Sequence, residues 1–428
     1  MSKMSKDKVV VGIDIGSSKI TTIIATIQDD SRVNVIGVSS VPSKGLRKGQ
    51  VVDIDEAVSA ISQSLEGAER MAGYSVGTAF VSVDGTHIES QNSKGVVAIS
   101  DRTGEIANDD VTRVIEAARA ISLPSSREIL HVIPRYFVVD SQSGIKDPLG
   151  MNGVRLEVET HIITGAATAF RNITKCVSQV GVDVEGIVFS GLASSYSVLT
   201  DTEKELGVIL VDFGGGTTDI CIFTDGAPAY CSVLPIGARN VTNDLAIGMR
   251  ISLESAEKIK LAISSPPKIA VEPDENGKSK DKKEADTLNI SGLGIEEDLR
   301  QVSKKTLVDG IMKPRIREIL NMVKIEIQKS SAAGLTPSGV VLTGGGAATV
   351  GMVEIAKQEL GMPVRIGMPQ GASGLIEEIS SPAYAASLGL IIYGSQFQQE
   401  EVRLPLVGRI EIKGMVEKGI GWLKSLLP

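Results

Sequence analysis

The stretch VILVDFGGGTTDICIF, residues 208–223, consists of two apolar, strand-forming runs broken by Asp212, Gly214, Gly215, Gly216, Thr217 and Thr218, with Asp219 following. Near the amino terminus VVVGIDIGSSKITTIIA, residues 9–25, repeats the order: apolar run, Asp14, Gly16, the hydroxyl pair Ser17 and Ser18, Lys19, apolar run. Glycine accepts positive φ and lets backbone approach a ligand closely, and successive N–H groups in such a turn form a nest for anions. The hydroxyls add donors. Asp14 and Asp212 would repel a phosphate unless a cation lay between, and Mg2+ that keeps some of its water is the usual cation beside phosphates. The two breaks therefore read as halves of one clamp on a Mg-nucleotide, with Asp14 and Asp212 facing the metal through water.

Other uses of a glycine-rich break fit less well. A dinucleotide fingerprint needs a helix directly after the glycines, whereas Asp219 and the strand-like DICIF follow here. No G-x-x-x-x-G-K-[ST] run is present. A plain tight β-turn needs one or two glycines and no particular acids, which leaves a matched pair of acids unexplained. A third glycine site, GVVLTGGGAATV at 339–350, reads as a buried strand running through Gly344, Gly345 and Gly346 into a helix. A helix amino terminus with glycine beneath it suits the sugar or α-phosphate end of a nucleotide.

The elements that must position these residues come in two copies. Residues 9–38 read as strand, turn, strand, strand, followed by a helix over DIDEAVSAISQSLEGAERMAG with Asp53 or Asp55 as its cap and Gly73 as its stop. Residues 208–234 repeat the plan, with a helix from about Asn240. An internal duplication of this kind predicts two similar α/β domains facing each other. Between the copies lies a β-rich segment, 87–164, that ends in the clean alternation RLEVETHIITG and reads as an inserted subdomain. Residues 264–289 combine prolines and many charges with no aromatic residue, and read as a disordered or mobile loop.

A chain of 428 residues predicts more than one domain. The net charge of −8 argues against a general nucleic-acid binder, which needs a basic field. The three cysteines, Cys176, Cys221 and Cys231, lack C-x-x-C spacing and read as free thiols of a reducing compartment. His87, His131 and His161 show no metal-ligand spacing. No cleavable signal and no uninterrupted apolar run long enough to span a bilayer is expected.

Taken together, the three glycine elements resemble the actin, Hsp70 and sugar-kinase superfamily. SGLASSYSVL (190–199), HVIPRYFVVDSQSGIKDPLGMNGVRLEV (131–158) and LGVILVDFGGGTTDI (206–220) closely resemble the FtsA family of bacterial cell-division proteins, a likeness that spans residues 8–395 and returns in the tail. The resemblance implies a duplicated actin-like (ribonuclease H-like) α/β fold. Its subdomain 1A would comprise 1–86 with 165–203 and 384–395, the inserted subdomain 1C 87–164, subdomain 2A 204–240 with 331–383, and subdomain 2B 241–330. A linker, 396–408, would lead to a membrane-targeting helix at 409–428. It further implies ATP and Mg2+ as ligands and self-assembly into actin-like filaments. Tethering of the tubulin-like protein FtsZ to the cytoplasmic face of the cell membrane at the division site, with recruitment of later divisome proteins, completes the picture.

Carried over residue by residue, Asp14, Gly16, Ser17, Ser18 and Lys19 match the first hairpin of the family. Asp212, Gly214, Gly215, Gly216, Thr217 and Thr218 match the second, and Gly344, Gly345 and Gly346 the adenosine motif. AEKIK (256–260) resembles the superfamily's E-x-x-K, placing Glu257 and Lys260 near the adenosine, with Gly237 and Asn240 in the preceding loop. The acidic carboxy-terminal peptide of FtsZ would dock on 2B, where Lys304, Lys305, Arg315 and Arg317 form a candidate basic face. One departure stands out. Relatives that hydrolyse ATP carry an acid or glutamine in the connecting helix to position water, whereas Ser190 occupies that stretch here, so turnover is expected to be slow or absent.

The tail GRIEIKGMVEKGIGWLKSLLP places Ile412, Val416, Ile420, Leu423 and Leu427 on one helical stripe, flanked by Trp422 and Leu426. Lys418 and Lys424 help line the polar side, and the cations of this segment outnumber its anions. The only tryptophan of the chain lies here, and indole favours the headgroup region. The segment therefore reads as an interfacial helix for anionic lipid; a terminal helix docked on its own body is the alternative. Rival functions on the same superfamily plan are an actin-like pilus-assembly protein, an Hsp70-like chaperone and a small-molecule kinase. A chaperone would need a substrate domain after the nucleotide domain, and a kinase a catalytic acid from the first half; neither is visible.

Overall fold

The computed structural model describes residues 8–28, 32–101, 103–265, 286–297 and 301–400. Most of the segment 264–289, and the whole of 409–428, lie outside the described residues. Two sheets share one strand plan. In the first, the antiparallel meander Lys8–Ile15, Lys19–Ile27 and Val33–Pro42 continues, on the side of Lys8–Ile15, into the parallel strands Thr78–Val83 and Asp183–Phe189. In the second, the meander Val208–Phe213, Thr218–Thr224 and Ala227–Leu234 continues, on the side of Val208–Phe213, into the parallel strands Val340–Thr343 and Val364–Ile366. The duplication thus extends to all five strands of each sheet. The first sheet gains a sixth, Ala372–Gly374, lying parallel to Val33–Pro42.

The central strands are almost continuously buried because helices cover both sheet faces, and their sequences are accordingly runs of Val, Ile and Leu. The helix Ile54–Ala72 begins where the Asp53 carboxylate accepts from the Glu56 N–H at 3.0 Å, and it stops at Gly73, whose φ of 63° suits glycine. Its Ala57, Ala60, Ile61, Leu65 and Ala68 face the sheet. Between the two sheets runs the connecting helix Ser190–Val198, small-residue-rich and buried on every side. Against it packs the helix Ala385–Glu400, and a Cβ at Gly389 would overlap the Ala193 carbonyl. This last helix runs through the first residues of the stretch read as a linker from 396; 401–408 lie outside the described residues.

The inserted segment forms a four-stranded antiparallel sheet ordered Glu89–Ala98, Arg155–Ala166, Arg127–Val139, Gln142–Ile145. It also carries a helix, Asn108–Arg119, that a reading of strands alone missed; Asp110 accepts from the Ala107 N–H and holds its first turn. The alternation seen in RLEVETHIITG holds only for the first half of its strand, which covers the insert's own core of Leu156, Val158, Val114 and Phe137. Its second half is buried on both faces, beneath the rest of the molecule. The insert also binds the second half: Arg135 reaches Glu159 at 2.5 Å and the Thr224 hydroxyl at 2.9 Å, and the Ser90 hydroxyl bonds both the N–H and the carbonyl of Cys231 at 2.8 Å.

Aromatic residues are scarce, yet Phe80, Tyr196, Tyr393 and Phe397 gather around the last helix, with His131 edge-on to Tyr393 at 6.0 Å. His131 Nε2 accepts from the Phe189 N–H at 3.1 Å, just before the connecting helix. Burial, with His161 adding to it, lowers this imidazole from 6.5 to about 3. The unfolded chain therefore takes up a proton below pH 6.5 that the folded chain refuses. Stability is full above that pH and falls as pH drops, by up to ~1.4 kcal/mol per unit. His131→Gln, which keeps an acceptor for Phe189, is expected to flatten this fall between about pH 6 and 5 in urea unfolding.

Candidate functional site

Each hairpin presents its acid at the last turn of its first strand. Asp14 pairs across the ladder with Thr21, and Gly16 N–H closes the turn on the Lys19 carbonyl at 3.1 Å. Asp212 stands opposite Asp219. The tips of the two hairpins touch. A Cβ at Gly215 would meet the Ser18 side chain and one at Gly216 the Ser17 side chain, so these glycines let the two halves close on each other. The Ser17 hydroxyl accepts from the Gly49 N–H at 2.7 Å, fastening the turn 45–49 to the first hairpin.

The acids are buried and individually supported. Asp14 accepts from Ser82 at 2.8 Å and from Ser387 at 2.7 Å, while Asp212 accepts from the Ser194 hydroxyl of the connecting helix. Two further carboxylates, absent from the sequence-based site, share the cleft. Asp84, at the end of the strand Thr78–Val83, accepts from Gly85 N–H and from the Thr217 hydroxyl of the opposite half. Asp219 is buried with its Oδ1 unpartnered among the described residues. The signals for both were present: Asp84 ends a strand-like run as VSVDG, and Asp219 closes the second glycine break.

Burial raises Asp14, opposed by its two serines and Lys19. Burial, followed by the charges of Asp14 and Asp84, pushes Asp212 up to about 7 against the Ser194 bond. Asp219 is raised well above the usual carboxylate range by burial and by the charges of Asp84 and Asp212. Lys19 is lowered to about 8 by burial, opposed by Asp14 and Asp212, and its ammonium sits 3.2 Å over the Tyr384 ring. One ammonium among so many buried carboxylates leaves the floor of the cleft short of positive charge. Hard oxygen donors in this state suit a hard divalent cation.

The helix Ala238–Met249 starts on the second hairpin: Ala238 and Arg239 N–H groups donate to the Gly214 and Gly215 carbonyls, each at 2.9 Å. Gly237 caps it, with its N–H donating to the Asn240 side chain at 3.3 Å. Glu257 and Lys260 lie on the helix Leu253–Ser264; Lys260 is buried and bonds Glu257 at 2.7 Å and the Thr242 hydroxyl at 2.9 Å. The pair thus clasps two helices together through the buried Lys260, while the Glu257 side chain stays partly exposed. At the third glycine site the structure differs from the expected strand-to-helix step. Val340–Thr343 leads into a short 3-10 turn, Gly345–Ala348, and the α-helix begins only at Met352. Gly344, at φ 81°, lies against the Asp212 carboxylate and Gly346 against the Phe213 ring, so packing on the second hairpin sets both conformations.

The four basic candidates are not one open face. Lys304 and Lys305 sit in the short helix Lys304–Leu307, joined through a π-helical turn to Lys313–Lys329. Arg315 is committed to Asp244 and Glu318, and Arg317 to Glu359. The membrane candidates of the tail lie outside the described residues. No helix among the described residues is long and apolar enough to cross a membrane.

Two α/β halves built on one strand plan, closing on an acid-lined and glycine-edged cleft, define the actin-like class. Solved structures share it. A chain of the PilM-PilN type IV pilus biogenesis complex has a TM-score of 0.62 at 14% identity, covering 90% of this chain and 98% of its own. MreB 5 of Spiroplasma citri bound to AMPPNP has a TM-score of 0.54 at 11% identity, covering 93% and 99%. Sequence comparison narrows the class. Residues 85–164 match the family described as "SHS2 domain inserted in FTSA", and residues 209–389 that described as "Cell division protein FtsA". The cell division protein FtsA of Pseudomonas aeruginosa is 39% identical over 95% of this chain and 94% of its own. The proteins of the same name from Escherichia coli and Bacillus subtilis are 35% and 37% identical, over 100% and 91% of this chain and 98% and 84% of their own. The chain belongs to the FtsA family of cell-division proteins.

Gly344 and Gly345 provide a matched test of the third glycine site. A Cβ at 344 would collide with the Asp212 carboxylate at a positive φ, whereas one at 345 meets only the Ala383 methyl at 3.6 Å. Gly344→Ala is expected to cost about 2–4 kcal/mol and Gly345→Ala less than about 1, read by denaturant unfolding.

Proposed function

We propose that this protein is an ATP-binding member of its family that polymerises at the cytoplasmic membrane, tethers FtsZ filaments to it and recruits later division proteins. The observation that supports nucleotide binding best is the pairing of the two hairpin acids. Asp14 and Asp212 are each buried, each is held by a serine from a different helix, and the charges of both act on Lys19. A Mg-nucleotide supplies what that arrangement lacks, a cation for the carboxylates and phosphates for the hairpin N–H groups and hydroxyls. Among the described residues no three acidic, histidine or cysteine side chains converge to cage an ion directly. Mg2+ would accordingly be shared with the phosphates and keep water. AMPPNP in the MreB relative is in keeping with this reading.

Slow or absent turnover fits the connecting helix, where Ser190 donates to the Val83 carbonyl at 3.2 Å and offers no base. For FtsZ, Lys304 and Lys305 remain the better candidates for its acidic peptide, since Arg315 and Arg317 are already paired. For the membrane, the tail's stripe of Ile412, Val416, Ile420, Leu423 and Leu427 carries the reading, with Trp422 and the lysines at the interface.

Asp212→Asn keeps the shape and the Ser194 contact while removing the charge. It is expected to lower Mg-ATP affinity at least about tenfold by titration calorimetry; unchanged affinity would place the nucleotide elsewhere. Trp422→Glu with Leu423→Glu should release the protein from anionic vesicles in co-sedimentation while Mg-ATP binding persists. Retention on vesicles would show that the tail is not the anchor.

A further inference from the structure

Building on the nucleotide-cleft reading above, a second charge pattern bears on which nucleotide the cleft takes. Beside the hairpin tips, at Ser17 and Gly216, a cleft of about 480 Å³ opens between the turn 45–49 of the first half and the start of the helix Ala238–Met249 of the second, and Arg47, Lys48, Arg239 and Asn240 line it. This mouth is mainly cationic, opposite in sign to the buried carboxylates that the hairpins carry. Glu56 also lines it, accepting from the Gly45 N–H at 3.1 Å, and is outnumbered there by the three cations. Arg113, Arg127, Arg135, Arg315 and Arg365 all find acids in the structure, whereas Arg47, Lys48 and Arg239 form no ion pair with any described residue.

The backbone that carries Arg47 and Lys48 is fixed at a conformational cost, with their side chains left exposed. Lys48 adopts φ 50°, uncommon for a residue with a side chain, between Gly45 at φ 70° and Gly49 at φ 75°. The turn is tied down by Gly49 N–H to Ser17, by Val52 and Asp53 N–H groups to the Gly45 carbonyl, and by Ser43 N–H to the Ser18 carbonyl. It also abuts the second hairpin, because a Cβ at Gly216 would lie 3.4 Å from the Lys48 Cα. One turn thus touches both phosphate hairpins and carries two uncommitted cations.

We propose that Arg47 and Lys48, with Arg239 facing them, receive the outermost phosphate of the bound nucleotide, so that the cleft prefers a nucleoside triphosphate to the diphosphate. A terminal phosphate brings charge and oxygens that a diphosphate lacks at that distance, and cations without a protein partner gain most from meeting them. The floor carboxylates repel phosphate and hold the metal, which leaves the mouth as the place where phosphate number is read.

The test is calorimetric titration of the full chain with Mg-ATP and with Mg-ADP, comparing the parent with Arg47→Gln/Lys48→Gly. Glycine suits the positive φ at 48, so this variant removes charge without adding strain. Triphosphate affinity should fall about tenfold or more while diphosphate affinity changes less than about threefold. Equal losses for both nucleotides would make the turn structural and overturn the assignment, as would no loss for either. A parent that binds neither nucleotide overturns the nucleotide-cleft reading itself, and this assignment with it.

Discussion

Burying like charges where two sheets meet is the constraint on which the rest of this structure depends. Transferring a carboxylate out of water costs several kcal/mol unless it is paired or hydrogen-bonded, and Asp14, Asp84, Asp212 and Asp219 are all buried around one cleft. The protein meets part of that cost with hydroxyls drawn from across the chain: Ser82 and Ser387 for Asp14, Ser194 for Asp212, Thr217 for Asp84. The strand plan, the small residues of the connecting helix and the glycines at the hairpin tips are what allow these donors to approach. The charge that remains defines what the cleft can hold.

The same economy governs the edges of the sheets. An exposed edge strand is a template for unwanted pairing. The edge strand Ala227–Leu234 is shielded by the insert, through Ser90 to Cys231 and Asn92 to the Ala229 carbonyl. The corresponding edge of the first sheet, Val33–Pro42, is covered by Ala372–Gly374, brought from the far end of the sequence. Two copies of one plan have thus solved one problem in two ways. The insert, although part of the first half by sequence, makes side-chain contacts that belong to the second.

Local patterns were legible in the sequence, and long-range partnerships were not. The hairpins could be read because their glycines, acids and flanking β-branched runs lie within a few residues of one another, and the helix after Asp53 because its cap and Gly73 stop are local signals. The resemblance of three motifs then carried the fold. Asp84 escaped because its meaning depends on Thr217, a residue of the other half. Ser387 escaped because no spacing rule links it to Asp14. The glycines at 344 and 346 also pack directly on Asp212 and Phe213, a contact across about 130 residues that no local pattern announces. The helix Asn108–Arg119 was lost in an otherwise β-rich segment because its apolar face is short and its cap is an aspartate three residues inside the helix.

The helix Ala385–Glu400 brings Ser387 to Asp14, packs Gly389 on the connecting helix, and sets Tyr393 and Phe397 against Phe80. Every one of those partners is synthesised long before it. As the chain leaves the ribosome amino end first, the opening sheet must wait with one face uncovered, Phe80 and Val10 among the residues left bare, until Ala385–Glu400 has emerged. The first half of this molecule therefore cannot mature as an independent unit during translation. A nascent chain arrested just before Ala385–Glu400 would present an apolar sheet face and an Asp14 without its Ser387 donor, the kind of surface that chaperones hold and proteases sample.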